Sequence, residues 1–248
     1  LTGAASGWAQ ATYQALNAGQ QPPVVDGDLA DWAGVKEGVK MEKFTPHDGG
    51  TWNGKQDCSG AFWLVWNDKG MYLAVDVTDD EHINTELGDR IWNGDSTQVM
   101  IEPTGKRPAG GNGVAYEYNF GLGGAKSNDP QFSRAFGHAQ MPAKVSAEFA
   151  FVRNEAQKKT YYEVFFTKAD MAPADLKAGT KIGFGIIVND GDKGQEGQKG
   201  WIGWAENSIV FGKKADQTNI VEFVAEQVLA VGPAGRLATT WGALRRTR

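Results

Sequence analysis

The chain has 248 residues, a formal net charge of -5 and a sequence pI near 5.3, long enough for one well-buried β domain. Its acidic balance, with a Lys/Arg block only at Arg245, Arg246 and Arg248, argues against a phosphate-backbone binder and so against a nucleic-acid partner. Cys58 stands alone, which excludes an internal disulfide and a Cys-built zinc site, and no apolar run approaches the roughly 20 residues that span a bilayer.

Residues 1–22 are rich in Ala and Gln, with Trp8, Tyr13 and Leu16 loosely at helical spacing and Gly19 placed to stop a turn, which predicts a short helical lead-in or linker. After Pro22 and Pro23 the main domain, 23–230, opens with VVDGDLADWAGV, where Asp26-Gly27 signals a turn. Strand signals then recur at 60–67, 71–78, 96–103, 114–121, 144–151, 160–167, 181–189, 200–204 and 219–224, and Asn67-Asp68-Lys69-Gly70 has the composition of a hairpin turn. Many short strands with almost no helical period between them predict an all-β fold, an antiparallel β-sandwich of immunoglobulin or jelly-roll type with short helical appendages at both ends. The tail, 231–248, carries Leu237, Trp241 and Leu244 at i, i+4, i+7 spacing and reads as a short docking helix or as linker. No basic, apolar signal segment opens the chain, so an export signal would already have been removed.

Alternation locates the core: Phe62, Leu64 and Trp66 share one face of their strand, and Leu73, Val75 and Val77 share one of theirs. Gly183 and Gly185 alternate with Ile182, Phe184 and Ile186, so one face of that strand is bare, open to a ligand or to a tight crossing by another segment.

Catalytic signatures are sparse. No Gly-x-Ser-x-Gly elbow, HExxH helix, Walker loop or strand-linked GxGxxG is present, and His47, His82 and His138 are far apart. Glu102, Glu117, Glu148 and Glu163 lie in strands, where a carboxylate pair could flank a glycosidic bond or simply face solvent. Asp26, Asp28, Asp79, Asp80 and Asp95 fall in turns or at strand ends, where carboxylates either converge on a calcium ion or cap turns. Trp52, Trp92, Trp201 and Trp204 stand beside Gly, Asn, Gln or Asp in loops or at strand ends. A tryptophan face suits the CH face of a sugar ring while polar neighbours bond its hydroxyls, the alternative being that these rings cap the core.

Several segments in order, PVVDGDLADWAGV, FWLVWNDKGMYLAVDVTDDEH, WNGDSTQVMIEP, YYEVFFTKADM, KIGFGIIVNDGD and GWIGWAE, resemble the family 9 carbohydrate-binding modules and the wider DOMON and cytochrome-related β-sandwiches, over about residues 23–224. The resemblance implies a calcium-stabilised β-sandwich that binds a glycan between aromatic side chains, a monomeric module of a larger secreted, periplasmic or cell-surface polysaccharide-active protein with a catalytic companion domain. It places the sugar-stacking tryptophan on Trp92. It places Gln98 where the family has a carboxylate, and Asn119 where the family can have a cation. The second stacking tryptophan has no direct match. Trp204 falls in the preceding segment, which leaves Trp201, Phe211 or Trp52 to rebuild the clamp, with Asn207 as a polar sugar contact. Loops around 105–113 and at 127–140 can reshape such a site. Two rival readings are a polysaccharide lyase or hydrolase using Tyr116, Tyr118 and His138, and a haem domain with Met100 or His138 as axial ligand.

Overall fold

The computed structural model describes residues 10–228. Thirteen strands run in order: β1 (Thr12–Asn17), β2 (Val39–Met41), β3 (Phe44–Pro46), β4 (Cys58–Asn67), β5 (Gly70–Asp79), β6 (Ser96–Glu102) and β7 (Tyr116–Gly123), followed by β8 (Asp129–Phe136), β9 (Glu148–Asn154), β10 (Lys159–Thr167), β11 (Lys181–Asp190), β12 (Gly200–Trp204) and β13 (Asn219–Gln227). The helical content of the described residues is limited to single 3-10 turns, such as Leu29–Trp32, Gly88–Arg90 and Glu206–Ser208. The fold is the all-β sandwich that the strand spacing predicts.

One layer runs β8-β7-β6-β11-β13 and the other β4-β5-β10-β9, with β1 between β13 and β4 so that the hydrogen-bonded path is continuous. Alternating inward residues meet between the layers: Phe62, Leu64, Leu73 and Val75 from one, and Val99, Ile101, Tyr118, Phe120, Ile182, Phe184 and Ile186 from the other. Where β8 and β9 form the outer edges, aromatic pairs join the layers, Phe132 with Phe149 at 5.2 Å and Phe120 with Phe151 at 5.4 Å.

Two segments differ from expectation. Residues 12–17 form a strand rather than the predicted helix. β1 pairs parallel with β13 (Thr12 opposite Ile220) and then with β4 (Leu16 opposite Val65), its register shifting between Ala15 and Asn17. The open edges of β13 and β4 would otherwise leave ladder groups unpaired, and that tertiary demand outweighs the weak helical preference of an Ala/Gln-rich stretch. Trp8 and the tail 231–248 lie outside the described residues. Residues 127–140, expected as a loop, contain β8, which pairs only with β7; Pro130 is tolerated because it sits on this edge strand.

The bare face of β11 is covered rather than open. A Cβ at Gly183 would lie 2.3 Å from Thr218 Oγ1, and one at Gly185 would lie 2.2 Å from Ser208 Oγ. The glycines let the segment 205–218 cross tightly over the outer face of the sheet, which builds a second small core of Met100, Ile187, Trp201, Ile209, Val210 and Ala215.

Candidate functional site

That second core underlies a cleft of 480 Å³ whose lining includes Trp92, Gln98, Asn119, Trp201 and Phe211 together with His47, Asp89, Glu117, Gln198 and Lys213. Its floor is the outward face of β6 and β7. Gln98 stands opposite Asn119 on β7 and Ile187 on β11, and Met100 stands opposite Glu117, so period two brings Gln98, Asn119 and Glu117 to one side of the sheet. Gln98 and Asn119 are buried in the chain, yet both border the cleft.

Trp92 stands on the rim, 37% exposed, at the end of a turn that is pinned from several directions. Asn84 Nδ2 donates to the carbonyls of Ile91 and Asp95 at 2.8 and 3.0 Å. Asp95 accepts from the backbone of Ile83 and, at 2.8 Å, from Gly191. Asn189 Nδ2 donates to the Trp92 carbonyl at 3.0 Å and to Ser96 Oγ at 3.0 Å. Tryptophan precedes the strand because these bonds fix the backbone there and leave the ring free to border the cleft. The same ring also borders a neighbouring, more polar cleft of 400 Å³ lined by His47, Thr85, Glu86, Asn93, Gln198 and Lys199.

Another part of the lining is aromatic. Trp201 is almost fully buried and donates its indole N–H to Glu206 Oε2 at 3.0 Å, with Phe211 packed edge-on at 5.8 Å and His47 at 5.5 Å from its ring. Phe211 is 63% exposed and has φ 56°, a left-handed conformation that is rare and strained for a bulky residue.

Three residues expected near a ligand lie elsewhere. Trp204 follows Trp201 by three positions on β12, so alternation turns it to the opposite face, where it packs on Phe62 at 5.5 Å and Phe184 at 6.4 Å. Asn207 is exposed on the 3-10 turn outside the cleft lining. Trp52 stacks on Phe44 at 6.0 Å and bonds the Cys58 carbonyl at 2.9 Å. The rival catalytic set does not converge on the cleft either: Tyr116 and Tyr118 are buried and donate to the carbonyls of Ala172 and Asp170, and His138 lies outside the lining. Met100, the other axial candidate, is buried in the core beneath the cleft.

The cleft also contains a pair that its strand pattern half announced. Glu117 shares the face of Asn119 two residues away, and its Oε1 accepts from Lys213 Nζ at 2.8 Å. Burial pushes the Glu117 carboxyl up, an effect that the Lys213 ammonium opposes. Lys213 carries no local signal, since it reaches the floor only because 205–218 folds across β11.

The acidic residues separate into three groups. Asp26 and Asp28 act as turn caps, Asp26 Oδ1 accepting from Asp28 N at 2.9 Å and Asp28 Oδ1 from Ala30 N at 3.0 Å, beside a Glu163 that binds the Trp32 indole at 2.7 Å. Asp79 and Asp95 flank His82, with Nδ1 at 3.2 and 3.8 Å from their carboxylates, and Arg153 adds an ion pair to Asp79 at 3.4 Å. Cationic charge is thus already supplied to Asp79. The third group, Asp57, Asp80 and Asp192, offers carboxylate oxygens all within 4.8 Å of one another. Burial and then the charges of Asp57 and Asp80 push Asp192 up to about 6, and burial with Asp57 and Asp79 pushes Asp190 up to about 8. An all-oxygen donor set with unrelieved mutual repulsion fits a hard divalent cation, which would bind through Asp57, Asp80 and Asp192.

The family model described as carbohydrate family 9 binding domain-like matches residues 25–211. The chain therefore belongs to the family 9 carbohydrate-binding domains. Two solved structures of a family 9 carbohydrate-binding module from Caldicellulosiruptor kristjanssonii, one in complex with cellotriose and one with glucose, superpose with a TM-score of 0.67 at 13% identity, covering 90% of this chain and 100% of that one. A putative carbohydrate-binding protein from Bacteroides uniformis gives a TM-score of 0.54 at 10% identity, covering 87% of this chain and 100% of that one. At these identities the likeness is one of fold. No curated protein matches the chain. No helix among the described residues is long and apolar enough to cross a membrane.

Proposed function

We propose that this chain is a non-catalytic glycan-binding module in which a sugar ring stacks on Trp92 while the amides of Gln98 and Asn119 bond its hydroxyls. The observation that carries this reading is the convergence in one cleft of the Trp92 ring, an aromatic wall of Trp201 and Phe211, and the polar floor of Gln98 and Asn119. Apolar faces with a few convergent polar groups suit a ligand with CH faces and an equatorial rim of hydroxyls. Because Trp92 also borders the second, polar cleft, the module accommodates a polysaccharide longer than one ring. The cellotriose and glucose held by the Caldicellulosiruptor kristjanssonii module are consistent with a neutral glycan.

The module acts as a monomer within a secreted, periplasmic or cell-surface protein that carries a polysaccharide-active companion domain. A calcium ion held by Asp57, Asp80 and Asp192 relieves their repulsion and stiffens the loops beside β4, β5 and β11.

The test is a glycan array followed by calorimetry on wild type and Trp92→Ala. Trp92 is 37% exposed, on the order of 90 Å² for a residue of this size. Covering that area at about 25 cal/mol per Å² is worth about 2 kcal/mol. Trp92→Ala should then weaken binding about 30-fold. Unchanged affinity in a variant whose fold is intact by circular dichroism would refute the site.

A further inference from the structure

We propose that Lys213 is a specificity-determining residue of the cleft and Glu117 its positioning residue, the ammonium donating to hydroxyl or ring oxygens of a neutral glycan. The proposal rests on the glycan-binding reading above.

The Glu117 side chain is 3% exposed beneath the cleft, whereas that of Lys213, bonded to it at 2.8 Å, remains 40% exposed. The Asn119 amide, oriented to donate, reaches the same Glu117 Oε1 at 3.2 Å. The neutral Asn119 is thus accompanied by a cation supplied from a different element. An ammonium carries three donors and no acceptor. Lys213 Nζ uses one on Glu117 and makes no other hydrogen bond among the described residues, so its remaining donors serve the cleft that both side chains line.

Two features set this pair apart from ordinary surface ion pairing. Glu117 Oε2 is buried without a partner, so the carboxylate is held at the floor at a cost that an apolar residue there would avoid. The loop that delivers Lys213 is strained: Phe211, Gly212 and Lys213 have φ values of 56°, 115° and 56°, two of them at residues with side chains. That conformation places an aromatic wall and a cation from the same three residues around one cavity.

The charge balance selects the ligand class. Glu117 already compensates Lys213, and Asp89 adds a further carboxylate, while His47 is the remaining titratable group of the lining. A uronic acid therefore meets no uncompensated positive charge, whereas neutral oxygen acceptors meet free N–H donors.

Calorimetry with cellotriose and with glucuronate tests the assignment. Lys213→Met should weaken cellotriose binding about tenfold or more and Lys213→Arg should restore most of it. Because Lys213→Met strands a buried carboxylate at a cost in stability, the double variant Lys213→Met/Glu117→Gln removes both charges and should bind as weakly. Glu117→Gln alone should weaken cellotriose severalfold yet gain affinity for glucuronate, a reversal that a purely structural role would not produce. Cellotriose binding at wild-type strength in Lys213→Met or the double variant, with Trp92→Ala still defective, would overturn the role of Lys213 alone. Failure of the wild type to bind any glycan would overturn the glycan reading and this inference with it.

Discussion

Substituting Gly183 by alanine tests how the cleft is built. The added Cβ would stand 2.3 Å from Thr218 Oγ1 and 3.1 Å from Thr218 Cβ, with Glu102 Cβ at 3.0 Å on the other side. Thr218 cannot simply turn away, because its hydroxyl donates to the Ala215 carbonyl at 2.7 Å and accepts from Arg107 Nε at 3.1 Å. Rotating it forfeits two hydrogen bonds at about 1 kcal/mol each. Keeping it forces the 205–218 segment off the sheet, at about 1–3 kcal/mol for an overpacked site. Either route costs about 2 kcal/mol, which lowers Tm by about 4–8 °C in a domain of this size. The same displacement moves Phe211 and Lys213, so glycan affinity should fall along with Tm, as read by scanning calorimetry and by titration of the folded variant at 20 °C. A variant with unaltered Tm would refute the tight crossing as the reason for glycine on β11.

Two further outcomes follow from the titratable groups. With calcium at about 100 times its Kd, binding adds about 2.7 kcal/mol, so EDTA should lower Tm by several degrees and Asp80→Asn/Asp192→Asn should abolish that response; a wild-type Tm indifferent to EDTA would refute the cation site. Burial pushes the Tyr116 hydroxyl up to about 12 from its ordinary 10.0, so the folded state keeps a proton that the unfolded state loses. Its contribution to stability is complete below pH 10 and is lost as pH rises toward 12. Tyr116→Phe should flatten this alkaline limb in urea unfolding, and an unchanged slope would refute the assignment.

Much of the sandwich was legible because two-residue alternation in 60–67, 71–78 and 96–103 reports directly which side chains face a core. The short strands β2 and β3 were not, since three residues hold too little periodicity, and β1 carries a loose helical spacing while the partners that make it a strand are more than forty residues away in sequence. Trp92, with Asp95 after it, was readable as a rim residue from a tryptophan in a polar turn. Trp201 and Trp204 were not separable without knowing that both lie on β12. The distinction then follows from their spacing of three, which sends one to the cleft and one to the core.

Taken alone, the sequence determined the fold class and the family, and named Trp92, Gln98, Asn119, Trp201 and Phe211 among the residues that line the cleft, because these depend on local alternation and motif order. Only the tertiary structure decided which of those residues meet. The passage of 205–218 over two glycines, the arrival of Lys213 on Glu117, and the sorting of the aspartates into caps, a buried pair on either side of His82 and a trio of converging carboxylates all depend on contacts between segments distant in the chain. Such contacts leave no periodic trace, since they are set by the space and charge that remain when the sheets close.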